Sequence, residues 1–299
     1  MTLQQLKYMI TIAEKGSITE AARSLYISQP SLSDAVRQVE KEAGITVFSR
    51  RRTGVALTKE GAEFLGYARQ VIQQMELLEA KYIDNRPVKQ RFCVSTQHYT
   101  FAANAFVELV RQLGQEHFEF ILNETQTHQI IEDVRNRFSD IGILYMSREN
   151  ENVIKNILEE NGLNFYELFT ASPHVFLSRE HPLAGSVSLK LADLKPYPRL
   201  SFVQGNYESA YFSEELFSSI PAKKSIRVSD RAAMVNLLIG LDGYTISSGI
   251  FPKYLQGDAI LSVPLEEEEI MRIGYVLNKD KELNELGRIY IRALKAYGK

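Results

Sequence analysis

Ser17-Ile18-Thr19-Glu20-Ala21-Ala22-Arg23-Ser24-Leu25-Tyr26-Ile27-Ser28-Gln29-Pro30-Ser31-Leu32-Ser33-Asp34-Ala35-Val36-Arg37 contains two helix starts within one short stretch. Ser17 through Glu20 reads as a capping box, with a hydroxyl for the N3 amide and a carboxylate reaching back to the N-cap. The helix it opens carries Ala21, Ala22 and Leu25, small enough for a neighbouring helix to approach. Ser28 caps a second helix, which tolerates Pro30 in its first turn. Leu32, Ala35, Val36 and Val39 form its apolar face, and Gly44 ends it. Two helices joined by a tight turn, the second capped and mostly polar, meet the requirements of a helix-turn-helix. Gln29, Ser31, Ser33, Asp34 and Arg37 are then left facing outward. Glutamine bonds adenine in two places, arginine does the same to guanine, and serine serves either base. The same residues also fit a small helical bundle with a solvated polar helix.

Upstream, Leu3, Leu6, Met9, Ile10 and Ala13 recur at three- and four-residue spacing and predict a helix ending near Gly16. Downstream, Ile45–Phe48 and Val55–Leu57 flank Ser49-Arg50-Arg51-Arg52-Thr53-Gly54, which predicts a small β-hairpin with a basic tip suited to phosphates. Thr58 caps a long helical stretch that stops near Asn85, before Pro87. Within it Leu65–Ile72, Phe64–Val71–Leu78 and Ala68–Met75–Tyr82 each repeat every seven residues. Such columns serve a packed helix within one chain or a seam between two. Breadth and position between two domains favour the seam, with Leu65, Ala68, Ile72, Met75 and Leu78 as its residues.

From about residue 91, apolar runs at 92–95, 118–122, 141–145, 174–177, 200–203, 244–247, 259–263 and 273–277 alternate with helical stretches such as 101–113 and 128–137. This alternation predicts parallel βαβ units. About 210 residues exceed one small sheet, so two lobes with a cleft between them are expected. Of the 299 residues, 44% are hydrophobic and 24% charged, an ordinary globular balance. Net charge is −2, which by itself argues against a nucleic-acid partner. The distribution argues otherwise: residues 1–90 carry 13 Lys and Arg against 10 Asp and Glu, and the excess is acidic thereafter.

Leu6, Ala13, Gly16-Ser17, Ala21-Ala22, Leu25, Ser28 through Ser33, Val39-Glu40, Gly44, Val47-Phe48, Arg50, Leu57-Thr58 and Gly61 together resemble the LysR-type transcriptional regulators. The order and length of the remainder are similar to that family too, including His181-Pro182-Leu183-Ala184 after a strand. The resemblance implies an α/β chain with a winged helix-turn-helix at 1–58 and a linker and dimerisation helix at 59–87. It also implies a two-lobed α/β periplasmic-binding-protein-like effector domain at 88–299, with lobe I about 88–163 and 268–299 and lobe II about 164–267. It implies homodimers or homotetramers on double-stranded DNA bearing an imperfect inverted repeat, and RNA polymerase as a further partner. Gln29, Pro30, Ser33 and Arg37 would face the groove and Arg50 with its neighbours would form the wing. With Ser28, Ser31, Asp34, Arg51 and Arg52 they make the expected DNA-facing set. Position 34 departs from the family, where it is often basic or amide; an acidic side chain there is repelled by phosphates. The family's peroxide-sensing branch uses a disulfide pair, and a lone Cys93 argues against membership of it.

Ser95-Thr96-Gln97-His98-Tyr99-Thr100 follows the first strand of the second domain and opens a helix, whose free amides favour an anion. Thr125-Gln126-Thr127-His128 repeats the arrangement. Ser201-Phe202 and Thr245-Ile246-Ser247-Ser248-Gly249 end later strands, where open α/β sheets bind ligands. Ser95, Thr96, Gln97, Thr125, Gln126, Thr127, Ser201, Phe202, Thr245, Ser247 and Ser248 are therefore the expected effector contacts. Helix capping alone would account for any single one. No Lys or Arg lies in these clusters, although Arg231 is expected nearby, and the expected effector is a small anion or zwitterion. His98 and His128 fit a ligand contact or, as the favoured reading, a surface or capping role; Cys93 reads as a small buried hydrophobe, and Glu266–Glu269 as a solvated turn.

The sequence contains no GxSxG elbow, P-loop, GxGxxG or metal-ligand spacing, which argues against an enzyme and against a resident cofactor. A solute-binding protein for transport would need an export signal, and the N-terminal residues show none. An architectural DNA protein would leave the α/β cleft unexplained. The expectation is a cytoplasmic, non-membrane, effector-switched regulator; its distal lobe looks most like regulators of Gram-positive bacteria, some of which control sulfur and methionine supply.

Overall fold

Helix caps and a close backbone approach shape the head. The computed structural model describes residues 1–51, 54–83, 90–113, 118–205, 207–250 and 259–298; the side chains of Arg50, Leu77, Ala80 and Lys81 are also outside the description. Helix α1 (Leu3–Lys15) starts with a complete capping box. The Thr2 hydroxyl accepts from the Gln5 amide at 3.2 Å, and the Thr2 amide donates to Gln5 Oε1 at 2.8 Å. Helix α2 (Ile18–Ser24) was expected to start that way, but only half of the box forms. Ser17 accepts from the Glu20 amide, while the Glu20 carboxylate pairs with Arg23 one turn on. A charged partner at i+3 outcompetes a neutral backbone amide. Helix α3 (Gln29–Ala43) is capped by Ser28, whose hydroxyl accepts from the Ser31 amide.

The wing is β1 (Phe48–Arg51) antiparallel to β2 (Gly54–Leu57). Val55 donates to the Gly16 carbonyl at 2.9 Å, and a β-carbon on Gly54 would sit 2.2 Å from that oxygen. Only glycine, here at φ +131°, lets the wing lie against the α1–α2 turn. Glu40 Oε1 accepts from the Val47 and Phe48 amides at 2.7 and 3.1 Å and so fixes where β1 leaves α3. Arg52, expected in the wing, lies outside the described residues, as does the end of the linker at 84–87.

Helix α4 (Lys59–Tyr82) corrects the expected seam. Leu65, Ala68 and Ile72 are buried in the head's own core with Leu6, Met9 and Ile12 of α1 and Leu32, Val36 and Val39 of α3. Met75 is half-buried and Leu78 exposed. The head is too small to close over α1–α3 alone, and the first turns of α4 supply the missing wall. The exposed column is Val71 and Leu78, 46% and 49% accessible.

The chain divides into two compact units, residues 1–90 with 135–138, and residues 91–134 with 139–299. In the second, a five-stranded sheet has the order β4 (Phe118–Glu124), β3 (Gln90–Thr96), β5 (Ile141–Met146), β12 (Met271–Asn278), β6 (Leu163–Ala171). β3 and β5 are parallel as expected, but β12 runs antiparallel to both β5 and β6. Helices α5 (Thr100–Leu113), α6 (Thr127–Arg135), α7 (Glu151–Glu160) and α9 (Glu285–Lys295) belong to this lobe. β6 lies in this sheet along its whole length, so the crossing into the second lobe follows Ala171 and not residue 163. The second lobe is built on β10 (Thr245–Ser247), β7 (His174–Ser178) and β11 (Ile260–Pro264), all antiparallel, beside the parallel pair β8 (Arg199–Phe202) and β9 (Ser225–Val228). Helix α8 (Arg231–Gly240) packs on it, capped by Asp230.

Candidate functional site

On α3, Leu32, Val36 and Val39 point into the core, and Gln29, Pro30, Ser31, Asp34 and Arg37 are exposed on the rest of the helix, with Ser33 partly covered. Ser28 is exposed at the cap. Asp34 forms an ion pair with Arg37 on the next turn. The departure at position 34 therefore has a local partner: the carboxylate engages the guanidinium that the expected groove face would use. Arg51 is exposed at the end of β1. Tyr26, in the turn before Ser28, is 96% accessible at φ +56°.

The effector unit contains a cleft between its lobes. Its hydrocarbon wall comes from Phe176, Phe202, Met234, Val235, Leu238 and Ile260. Its polar side comes from His98, Thr100, Glu214, Glu215, Arg231, Thr245 and Ser247. Among the described residues, two ion pairs cross from one lobe to the other. His98, just before α5, donates its amide to Glu214 Oε2 at 2.7 Å and sets Nδ1 2.9 Å from the same oxygen. Both side chains are nearly sealed, 6% and 4% accessible. Burial opposes the imidazolium, but the hydrogen bond and charge of Glu214 outweigh it and raise the His98 pKa. At the other pair, Arg231 at the start of α8 holds Glu124 at the end of β4, with Nε to Oε2 at 2.8 Å and NH2 to Oε1 at 2.7 Å.

Glu215 is different from its neighbour. It accepts from the Phe202 amide at 2.9 Å and the Ser213 hydroxyl at 2.8 Å, both neutral donors. Burial, with the adjacent Glu214 charge, pushes its carboxyl up to about 7. Aromatic stacking adds to the join: His98 lies flat on Phe202 with ring centres 3.9 Å apart, and His128 on Tyr207 at 3.6 Å. The expectation of a surface or capping role for His98 is thus corrected; it is buried and paired.

Of the expected effector contacts, Phe202, Thr245 and Ser247 line the cleft. Ser95, Thr96, Gln97 and Thr127 are buried and bonded within the protein, a correction with a common cause. Ser95 donates to Asp133 at 2.6 Å, Thr96 to the Gln97 carbonyl, and Gln97 to the Thr127 hydroxyl at 2.6 Å. Thr127 in turn donates to the Phe212 carbonyl and takes Gln204 Oε1 on its amide. Ser95, Thr96 and Gln97 thus fasten segments of the first lobe to one another, and Thr127 ties that lobe to the second, instead of facing a ligand. Thr125 and Gln126 stand outside the cleft lining, as does Ser248, which accepts from the Ile250 amide. Ser201 lines a separate, more polar recess behind Phe202 and Glu215. The run at Glu266–Glu269 is only partly a solvated turn, since Ser188 donates to Glu266 and the Leu191 amide to Glu267. Sequence reading missed Glu214 and Glu215; His98 and Thr100 lie in the Ser95–Thr100 stretch it singled out, but it favoured their neighbours as contacts. A pair of adjacent acids in Ser213-Glu214-Glu215-Leu216-Phe217 between apolar stretches was the one available signal.

No helix among the described residues is long and apolar enough to cross a membrane. Among the same residues no group of three or more His, Cys, Asp or Glu is placed to hold a metal ion. Cys93 is half-buried with its sulfur 3.3 Å from the Ser139 hydroxyl, and burial pushes its thiol up.

A helix-turn-helix with a wing, followed by a two-lobed α/β unit with a lined cleft, defines a DNA-binding regulator with an effector domain. The family model described as "Bacterial regulatory helix-turn-helix protein, lysR family" matches residues 3–62, and "LysR substrate binding domain" matches residues 90–299. The chain belongs to the LysR family of transcriptional regulators. It is 27% identical over 247 residues to the HTH-type regulator YvbU of Bacillus subtilis, covering 81% of this chain and 80% of that protein. Its fold is similar to that of a full-length OxyR variant from Pseudomonas aeruginosa, with a TM-score of 0.61 at 18% identity over 99% and 98% of the two chains. It is also similar to full-length CbnR complexed with its target DNA, with a TM-score of 0.55 at 17% identity over 99% and 100%.

Proposed function

We propose that this regulator is switched by a small molecule held in the cleft between its lobes. The observation that carries this reading is the pair of ion pairs, His98–Glu214 and Glu124–Arg231, that cross the cleft beside an apolar wall. A ligand there touches both lobes at once, and a ligand that prefers one lobe angle shifts the population towards it. Coupling of about 1–3 kcal/mol is enough for a switch. The role proposed is regulatory, since the charged groups that cross the cleft, His98 with Glu214 and Arg231 with Glu124, are engaged with one another.

On DNA, α3 enters the major groove with Gln29, Ser31, Ser33 and Arg37 towards base edges and Ser28 and Pro30 beside them, while Arg50, Arg51 and Arg52 meet phosphates. Two copies joined through α4 bind an imperfect inverted repeat in the cytoplasm, as a dimer or a pair of dimers, within reach of RNA polymerase. CbnR, similar in fold, has been crystallised with its target DNA. Carboxylates beside hydrocarbon do not single out a sulfur compound, so the pathway regulated is not assigned to sulfur or methionine.

Thermal stabilisation of the full chain by a metabolite panel tests the cleft. Val235→Trp fills it from the partly exposed side of α8, and every stabilising metabolite should lose its effect while operator binding without effector is kept. Undiminished stabilisation of the filled variant would place the effector elsewhere.

A further inference from the structure

We propose that the molecule this cleft accepts presents a protonated amine to Glu214 and Glu215 and a hydrocarbon body to Phe176, Met234 and Ile260. The proposal rests on the reading of the cleft as the effector site, and names the chemical class that fits it.

The charges at the site pair off unevenly. Arg231 is held by both oxygens of Glu124, and His98 by Glu214. Glu215 lines the same cleft, buried, with a backbone amide and a serine hydroxyl as its donors. A buried carboxylate without a counter-ion is strongly disfavoured and either keeps its proton or acquires a cation. The protein keeps the proton: the carboxyl is pushed up to about 7 by burial and by Glu214. An arriving ammonium supplies the missing positive charge, and the proton of Glu215 leaves to solvent as the ion pair forms.

An anion meets the opposite situation. It would approach two adjacent carboxyl groups, and the cation nearest to it, Arg231, is already engaged. The expected small anion is therefore disfavoured by the site, whereas the ammonium end of a zwitterion is not. The groups facing Glu215 are Glu214 on its own segment and His98, Tyr99 and Tyr145 from the other lobe; the Tyr145 hydroxyl donates to the Glu215 carbonyl at 3.3 Å. Loss of the His98 proton at higher pH leaves the site more negative, so it acts in the same direction as ionisation of Glu215.

Matched pairs separate charge from shape: phenethylamine against phenylacetate, and hexylamine against hexanoate, titrated calorimetrically into the full chain. Each amine should bind more tightly than its acid. At pH 6, repeated in buffers of different ionisation enthalpy, binding should release about one proton from Glu215. Glu215→Gln should weaken the amines about tenfold or more and abolish the proton release. The proton count on the unaltered chain needs no variant to fold. Failure of every amine to bind, or tighter binding of an acid than of its matched amine, overturns the proposal. An acid that binds but is excluded by Val235→Trp would overturn the amine class and leave the cleft as the effector site, whereas amine binding untouched by Val235→Trp would sink the cleft reading itself.

Discussion

On α3 the polar residues Gln29, Asp34 and Arg37 stand exposed, and the ion pair on that outward face joins residues three apart in sequence. Around the effector cleft His98 and Glu214 are sealed and Arg231 and Glu124 partly covered, and these two ion pairs join residues 116 and 107 positions apart. The head presents chemistry on a surface that a single helix makes. The effector unit assembles chemistry from distant segments at a seam that can open. The first arrangement suits a rigid reader of base edges, the second a switch, since moving the lobes must disturb His98–Glu214 and Glu124–Arg231. The consequence for substitution is direct: surface changes in the head should alter binding and leave stability alone, while changes at the cleft should alter both.

The largest expected effect lies at the boundary of that rule, on α4. Ile72 is 8% accessible and belongs to the head's core, whereas Val71 beside it is 46% accessible. Ile72→Asp buries an unpaired charge and should destabilise the head by about 3 kcal/mol or more. Val71→Asp should change head stability by less than about 0.5 kcal/mol and, if the Val71–Leu78 column is the seam between copies, shift the chain towards monomer. Chemical denaturation and light scattering on both variants check this. Equal loss of stability in the two would undo the division of α4 into a core face and an exposed face.

The same helix shows where sequence reading stops. Columns repeating every seven residues locate a helix and its apolar faces, and those are present in α4. Which face meets its own chain and which meets another depends on whether α1–α3 close without help, and no spacing within α4 records that. In the cleft the gap is wider. Ser95, Thr96, Gln97 and Thr127 have the composition of a ligand site, but their hydroxyls and amides fasten segments together, because buried polar groups must be satisfied wherever they lie. Glu214 and Glu215 look like an ordinary exposed acidic pair until folding sets them against His98 and Phe202. The α3 caps Ser28 and Gly44, by contrast, act within a few residues, and local pattern sufficed.

Next in size is a pH effect confined to the effector unit. Between the ordinary carboxyl value of 4.5 and its raised value of about 7, folded Glu215 keeps a proton that the unfolded chain has released. Stability must therefore fall as pH rises through that window, by about 3 kcal/mol from this group alone. His98, with its pKa raised, acts in the same direction: its contribution is complete below 6.5 and is lost as pH rises through the raised value. Urea denaturation of the full chain at pH 5 and pH 8, followed by circular dichroism, should show the effector unit weaker at pH 8, and Glu215→Gln should flatten the dependence. The head has no buried carboxyl pair of this kind among its described residues, so its transition should move less. A pH-independent effector transition would show that Glu215 ionises freely.

Gln29→Ala should lose about 1–3 kcal/mol of operator binding and relax base preference without changing the melting of the head, since the side chain is exposed. Mobility shifts on operator and random DNA at fixed salt measure the discrimination. Unchanged discrimination would remove Gln29 from the base-reading set and leave α3 as a phosphate-positioning helix.

The smallest effect is the most specific to this chain. Asp34 pairs with Arg37, and both side chains are largely exposed, 67% and 76% accessible. An exposed pair one turn apart contributes little to stability, so Asp34→Asn should leave the head's melting unchanged. Its effect on DNA has two parts of the same sign. The substitution frees Arg37 from its carboxylate, and it removes a negative charge that approaches the phosphates. Affinity should rise a few-fold for operator and random DNA alike, with a steeper dependence on salt. If Asp34 instead accepts from a cytosine amino group, the same variant loses operator affinity at one base pair and gains it elsewhere. Titrations at two salt concentrations, on the operator and on operators altered one base pair at a time, distinguish a carboxylate that restrains Arg37 from one that reads a base.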